Sequence, residues 1–378
     1  MLQQSGDASL LRRLNSAAIL RLLRDAEVLT LSELARGARV SRPTVEAIVE
    51  ELVSEGWAEE CPDEPGDRPR GRPARRFRFR ASAGHVVGVS IGHTSVQAMV
   101  ADLNGAIVAV QAIPISPDVC AADRLAAVGD LVTAVTAQAG LAVHEVAAVG
   151  VGTTGVVDGD GRVVKSVVLS DWTGVPLQAE LAARLPVPVV VVENDMRLAV
   201  IAEHWRGVAQ GYDDVVYLYT GTRLGLGLLI GGVPYRGAHA ASGEIGKMPT
   251  GTWAAFKEVT DYAMSVEPGE LRSPMESARF AIERARQGDA EASDAVRAFG
   301  VGLGESLITI VNPLDPELVV IGGSLSPAGD LLVGPVKEVF DEICLYPPLV
   351  VASELGSESI TLGAVRLALN HIDKALFS

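Results

Sequence analysis

Apolar positions recur at helical spacing three times within the first 55 residues: Leu11, Leu14, Ala18 and Leu22, then Leu31, Leu34, Ala35 and Ala38, then Val45, Ile48, Val49, Leu52 and Val53. Three short amphipathic helices are predicted. The segment ARGARVS joins the second and third, with Gly37 expected just past a helix end and Ser41 expected to N-cap the next, the spacing of a helix-turn-helix. The third helix then presents Arg42, Pro43, Thr44, Glu46 and Ala47 outside its apolar stripe. After Gly56 the period changes to two: Trp57 and Ala58 begin a strand, and Arg75, Arg76, Phe77, Arg78 and Phe79 alternate in the return. Residues 1–80 therefore read as a winged helix-turn-helix.

From Ala83 onward, short β-rich apolar runs alternate with helical stretches. VVGVSIG, VQAMVADLNG and AIVAVQAIPI are three strands, with Asn104-Gly105 as a hairpin dipeptide between the last two. A helix over about 121–139 precedes the strand VAAVGVGTTGVV. VPVVVVEND is a strand with acids at its carboxyl end, followed by the helix MRLAVIAEHWRG. DDVVYLYTGTRLGLGLLIGG forms a second glycine-rich hairpin, and a long helical region over about 266–312 leads into the strand ELVVIGGSLS and a further helix. This order fits two α/β lobes, 81–200 and 201–378, each opening with an antiparallel hairpin set, better than one doubly wound sheet. The C-terminal helix is expected to pack back on the first lobe.

Charge adds a function to the first of these units. The chain carries a net charge of −15, but residues 1–80 hold 14 arginines against 13 acids, whereas residues 81–378 hold 18 basic against 34 acidic residues. Arg68–Arg80 contains seven arginines and no acid. Such asymmetry points to a polyanion-binding module on a body that polyanions repel. In a winged helix the exposed start of the third helix meets the major groove, and the wing tip Arg70-Gly71-Arg72-Pro73 can lay two guanidiniums along a narrow A·T-rich minor groove. Ser41, Arg42, Pro43, Thr44 and Glu46, with Arg70, Gly71, Arg72 and Pro73, are the candidate DNA-binding residues.

Other features exclude more than they assign. No run of about 18 uncharged apolar residues and no signal-peptide pattern occurs, so a cytoplasmic location without membrane contact is expected. Cys61, Cys120 and Cys344 are too few and too far apart for a disulfide framework or a local zinc site.

The segments GVSIGHTSVQAMV, GVGTTGVVDGDG, VVENDMRLAVIAEH, YTGTRLGLGLLIGGVPYRGAHAASGEIGKM and VVIGGSLSPAGDLLVGPV resemble, in order, those of the ROK family (repressors, open reading frames and sugar kinases). The resemblance spans roughly residues 84–370, and the N-terminal winged helix resembles that of the family's repressor branch. It implies a two-lobed actin-like ATPase (sugar kinase) fold, preceded by the winged helix-turn-helix.

In kinases of that family the first hairpin resembles D-x-G-G-T-K, in which the acid helps to hold Mg²⁺ and the glycines admit phosphate. Here it reads Ser90-Ile91-Gly92-His93-Thr94-Ser95. The acid has become a serine, the second glycine a histidine and the lysine a serine. ATP and Mg²⁺ are therefore not expected as cofactors. The second phosphate hairpin, Thr220-Gly221-Thr222-Arg223-Leu224-Gly225, and the adenosine-side Gly322-Gly323 with Ala328-Gly329-Asp330 keep more of the pattern, but glycine is needed wherever φ is positive, whatever the ligand.

The sugar side matches better. Asn194-Asp195 matches the family's Asn-Asp pair, whose amide and carboxylate bind sugar hydroxyls; Asp195 would be the base in a kinase. The same two residue types also suit a helix N-cap. Glu244 matches the glutamate of E-x-G-H, and Gly155 lies where relatives line the sugar pocket or simply turn the chain. By strand alternation Glu193 points to the other face. Lys247 stands where the family has a zinc-binding histidine; it offers a cation to an anionic effector or is a surface lysine. The zinc segment C-x-C-G-x-x-G-C-x-E is absent, so no metal is expected. The candidate effector-binding residues are Gly155, Asn194, Asp195, Glu244 and Lys247.

Together these features imply a transcriptional regulator, expected to be a repressor, that binds a double-stranded operator as a homodimer or higher oligomer and responds to a sugar or sugar derivative in a degenerate kinase cleft. No enzyme activity is expected. An ATP-dependent sugar kinase that also binds DNA, and a DNA-binding regulator with a vestigial pocket, are the alternatives.

Overall fold

The computed structural model describes residues 4–62, 74–221, 224–245, 255–270 and 272–377. Residues 4–80 hold α1 (Gln4–Asp25), β1 (Leu29–Thr30), α2 (Leu31–Ala38), α3 (Arg42–Ser54), β2 (Ala58–Cys61) and β3 (Arg76–Phe79). Strand order β1-β3-β2 is antiparallel throughout, and Phe77 and Phe79 face the core while Arg78 faces solvent. A capping box starts α2, with the Thr30 hydroxyl and the Glu33 carboxylate each accepting from the other residue's backbone amide.

Two details of this unit differ from the sequence expectation. Gly37 lies inside α2 rather than past its end, and Arg39, with φ of 56°, makes the left-handed turn. Gly37 is small because it abuts Leu22, where a Cβ would sit 2.9 Å from Leu22 Cδ1. On α1 the buried positions are Ala17, Ile19, Leu20 and Leu23, whereas Leu11 and Leu14 are exposed. The helix packs on α2 and α3 on one side and on the C-terminal helix on another, so it buries more than a single stripe.

The body begins with β4 (His85–Ile91), β5 (Ser95–Asp102) and β6 (Ile107–Pro114), then α4 (Ala121–Gln138), β7 (Val146–Thr153), the short β8 (Val156–Val157) and β9 (Val163–Lys165), α5 (Leu177–Arg184), β10 (Val190–Asn194) and α6 (Asp195–Arg206). It continues with β11 (Val215–Thr220), β12 (Leu224–Ile230), β13 (Val233–Pro234), α7 (Lys257–Val266), α8 (Pro274–Arg286), α9 (Ala290–Leu314), β14 (Leu318–Gly323), α10 (Asp330–Ile343), β15 (Leu349–Ala352) and α11 (Ser359–Phe377). The region over about 266–312 predicted as one helical stretch holds two helices, α8 and α9, and α7 precedes it. Ser273-Pro274 caps and starts α8, and Gly288, with φ of 90°, precedes the Asp289 N-cap of α9.

The two five-stranded sheets, β6-β5-β4-β7-β10 and β13-β12-β11-β14-β15, share one topology. In each, three strands form an antiparallel meander whose first strand lies parallel to the fourth, and the fourth to the fifth. Each lobe also ends in a helix, α6 or α11, that packs on its counterpart. α6 lies against β11 and β12 of the second sheet, and α11 lies against β4 and β7 of the first. The helices that close the lobes are thus exchanged across the cleft. α11 comes closer to its sheet than side chains would allow: a Cβ on Gly150 of β7 would lie 2.0 Å from the Ala364 carbonyl oxygen, and one on Gly88 of β4 would lie 2.5 Å from that of Thr361.

Candidate functional site: an interlobe cleft and a winged-helix surface

The carboxyl ends of β4, β7 and β10 open into a cavity of about 360 Å³ between the lobes, the location at which open α/β sheets bind ligands. Asp195 and Glu244 face each other across it, with Ser90, Gly92 and His93 of the first hairpin on one wall and Tyr219 on another. Gln97, Ser357 and Ile360 also line it. Ser357 and Ile360 lie outside the family-like segments, and Gln97 and Ile360 are brought together only by the tertiary fold.

Asn194 and Gly155 are expected from sequence to touch the ligand, but neither lines the cavity. Asn194 is buried and caps α6: its Oδ1 accepts from the amides of Met196 at 3.0 Å and Arg197 at 3.2 Å. Its Nδ2 donates to the Gly155 carbonyl at 2.9 Å and to Glu244 Oε1 at 3.4 Å. Asn194 thus aims Glu244, and Gly155, with φ of 101°, supplies the turn that places its carbonyl. Glu193 points away from the cavity, as alternation requires. It accepts from Arg197 Nε at 2.7 Å and Arg236 Nε at 2.9 Å, tying the loop that carries Glu244 to β10. Lys247 lies outside the described residues.

Burial, reinforced by the neighbouring Glu244 carboxylate, pushes Asp195 from 3.8 up to about 7, against the pull of the Met196 amide. Burial also raises Glu244 and holds the Tyr219 hydroxyl up at about 12, with the Asp195 charge as the second cause. Two poised carboxylates can accept hydrogen bonds from ligand hydroxyls or, when protonated, donate to a ligand oxygen. The ionised Asp195, half-buried on the cavity wall, is a cost to folding that is present above about pH 7 and is relieved as pH falls through that value toward 3.8, because the folded chain takes up the proton first. Asp195→Asn keeps the amide contact and removes the cost. It is expected to stabilise the protein by about 2 kcal/mol at about pH 8, discounted for water in the cleft, with the gain gone near pH 4. A gain in melting temperature that does not change with pH would refute this.

The phosphate side departs from the kinase pattern. Ser90 stands where a carboxylate would be needed, and among the described residues no group of three or more His, Cys, Asp or Glu could hold a metal ion. The turn is closed by the Gly92 amide donating to Ser95 O at 2.9 Å, and the half-buried His93 lines the cavity with its Nδ1 buried and unpartnered. Beneath it the buried Arg124 donates to the carbonyls of Gly92, Ser116 and Pro117. On the second hairpin, Thr220 Oγ1 donates to Gly322 O at 2.6 Å, and a Cβ on Gly323 would lie 2.6 Å from Thr220 O, so these glycines serve the backbone. Thr222 and Arg223 lie outside the described residues.

On the winged helix, Ser41, Arg42, Pro43, Thr44 and Ala47 are exposed at the start of α3, and Ser41 Oγ is 2.7 Å from Thr44 Oγ1 rather than on a backbone amide. Glu46 departs from expectation. It is half-buried and lies 3.6 Å from Arg75, whose guanidinium also reaches Glu50 at 3.4 Å and Glu60 at 2.9 Å. Glu46 therefore also helps to brace the start of β3 against α3. Arg36 and Arg39, which sequence reasoning did not single out, are also exposed beside Arg42. Arg70, Gly71, Arg72 and Pro73 lie outside the described residues.

Fold and cleft define a class: a two-lobed, sugar-kinase-like body joined to an N-terminal winged helix. Family comparison agrees with it. The ROK family model matches residues 86–371, and the model of the IclR helix-turn-helix domain matches residues 14–62. The chain belongs to the ROK family. It is 28% identical over 320 residues to a glucokinase of Streptomyces coelicolor, covering 75% of this chain and 98% of the relative. It is 20% identical over 396 residues to the xylose repressor of Caldicellulosiruptor bescii, covering 97% and 98%. Among solved structures, a ROK family transcriptional regulator described as a homologue of the E. coli MLC protein superposes with a TM-score of 0.72 at 20% identity, covering 97% of both chains. The kinase match omits the N-terminal unit, and the regulator matches include it.

Proposed function

We propose that this protein is a sugar-responsive transcriptional regulator, a repressor, in which the cleft recognises a sugar or sugar derivative and the winged helix binds operator DNA. The observation that carries the reading is the split character of the cleft. Asp195 and Glu244 face the cavity, and Asn194 holds Glu244 in place, whereas the phosphate turn has a serine and a histidine where transfer from ATP needs an acid and a glycine. Recognition is retained without nucleotide, Mg²⁺ or zinc. A homodimer with two-fold symmetry would match a pseudo-palindromic operator, and light scattering of the full chain tests it. Among the described residues no helix is long and apolar enough to cross a membrane.

The test uses a duplex selected by the full-length protein from a random-sequence pool. Its affinity is measured by fluorescence anisotropy against a panel of sugars, amino sugars and sugar acids, alongside an ATPase assay with the same panel. At least one member is expected to weaken binding roughly tenfold, within the usual range of allosteric coupling, with no ATP turnover. Robust turnover would make the protein a kinase. A panel without effect, together with unchanged operator binding by Glu244→Ala, would make the cleft vestigial.

A further inference from the structure

The regulator reading above requires the cleft to communicate with the winged helix, and the fold contains one element that touches both. We propose that α11 is a rod that carries the state of the cleft to the DNA-binding unit, with the Arg24–Asp373 ion pair as its terminal coupling. The inference rests on the cleft being the effector site.

At its amino end α11 forms part of the cleft. Ile360 lines the cavity, and Thr361 Oγ1 donates to Gln97 Oε1 at 2.7 Å on the cavity wall. The helix then runs 19 residues, about 28 Å at the usual rise. Near its carboxyl end Asp373 pairs with Arg24 of α1. Ala368 and Leu369 belong to the same continuous buried cluster as Leu20, Leu23, Phe77 and Phe79 of the winged helix. The DNA-binding unit is thus seated on α11 through shared core, rather than hung from a linker.

The surface under the rod suits a shift. Gly88 and Gly150 on the first sheet bring backbone against backbone, and Gly363 does the same with α6, where a Cβ would lie 2.0 Å from Leu198 O. At those points no side chain of the sheet interlocks with the helix, while Leu362, Val365 and Leu369 pack into the apolar cluster alongside. α6 starts at the same cleft, with Asp195, and Arg366 of α11 lies over its Trp205, 5.4 Å from the ring centroid. The exchanged helices therefore form one body between the lobes, and closure of the lobes on a ligand must displace that body relative to at least one sheet. Small shifts in such packed elements become discrete movements of whole units.

A double-mutant cycle on operator affinity tests the rod without any ligand, using Gln97→Ala at the cleft end and Arg24→Ala at the far end of the full-length protein. Sites this far apart are additive unless something joins them. The expected result is at least threefold non-additivity in Kd for the selected duplex; additive effects overturn the rod. The second arm uses a sugar that shifts wild-type operator affinity. In Arg24→Ala that shift is expected to shrink at least fivefold, while the sugar's Kd for the DNA-free protein stays within twofold, and the charge swap Arg24→Glu with Asp373→Arg restores it. An undiminished shift in Arg24→Ala likewise overturns the rod. If no sugar acts on the wild type, the effector reading fails by itself, and the ligand-free cycle still decides the rod.

Discussion

Gly150→Ala is expected to destabilise the protein by about 3 kcal/mol, at the upper end of overpacking costs, and to weaken operator binding with it. The added methyl would lie 2.0 Å from the Ala364 carbonyl oxygen and 2.9 Å from its carbon, on both sides of a contact made of backbone. No rotamer change relieves it, so β7 and α11 must separate. Since α11 shares its core with the winged helix, the loss is not confined to the body. Chemical denaturation followed by far-UV circular dichroism measures the cost. Gly129→Ala is the control: it lies inside α4 with nothing within 4 Å of the added Cβ, and it should stabilise by about 1 kcal/mol through helix propensity. If Gly150→Ala behaves like the control, the close seating of α11 is wrong.

The contrast between Gly150 and Gly129 also shows what local pattern can and cannot reveal. Pattern puts Gly129 in a helix and Gly150 in a strand, but that Gly150 has no room for a side chain follows only from the position of a helix some 200 residues further along the chain. Periodicity located the strands β4–β7 and β10–β12, and the three N-terminal helices, because each buries one face at a fixed repeat. It misassigned the buried face of α1, because that helix packs against two partners from different domains. It could not divide the region from 257 to 314 at every break, since Gly288 in a helical run is ambiguous until its φ is known.

The cleft was legible to the extent that its residues sit in local motifs. Asp195 and Glu244 reach the cavity as their motifs imply. Asn194, a neighbour of Asp195, turns inward because the first turn of α6 leaves amides that require a cap, and the capping role uses its acceptor oxygen. Glu46 shows the same competition on the winged helix. Its position on α3 faces outward, yet Arg75 on the return strand draws it into an ion-pair network. Ile360 had no signal, since what makes it a cleft residue is the exchange of α11 across the lobes.

The paired substitution Arg70→Ala and Arg72→Ala is expected to weaken operator binding about a hundredfold at physiological salt, at about 1–2 kcal/mol for each guanidinium removed. Both arginines lie between β2 and β3, within a run of seven arginines that contains no acid. Their neighbours divide by role. Arg75 is committed to Glu46, Glu50 and Glu60, and Arg78 pairs with Glu59, so those guanidiniums are partly neutralised by the protein itself. In the sequence Arg70 and Arg72 flank Gly71 and precede Pro73, and the segment joining the two strands of a wing is the part that reaches the minor groove in this class of domain. If they neutralise phosphates or sit in the narrowed groove, their removal means that fewer counterions are released on binding. The slope of log Kd against log salt should then fall by about 2. The net charge of −16 on residues 81–378 sharpens the effect, because the body opposes approach to DNA and the arginines of the N-terminal unit supply the attraction. Anisotropy titrations at several salt concentrations separate two outcomes. A drop in affinity with a reduced slope assigns the pair to direct DNA contact, and unchanged affinity and slope would show that the segment is only a linker between the strands.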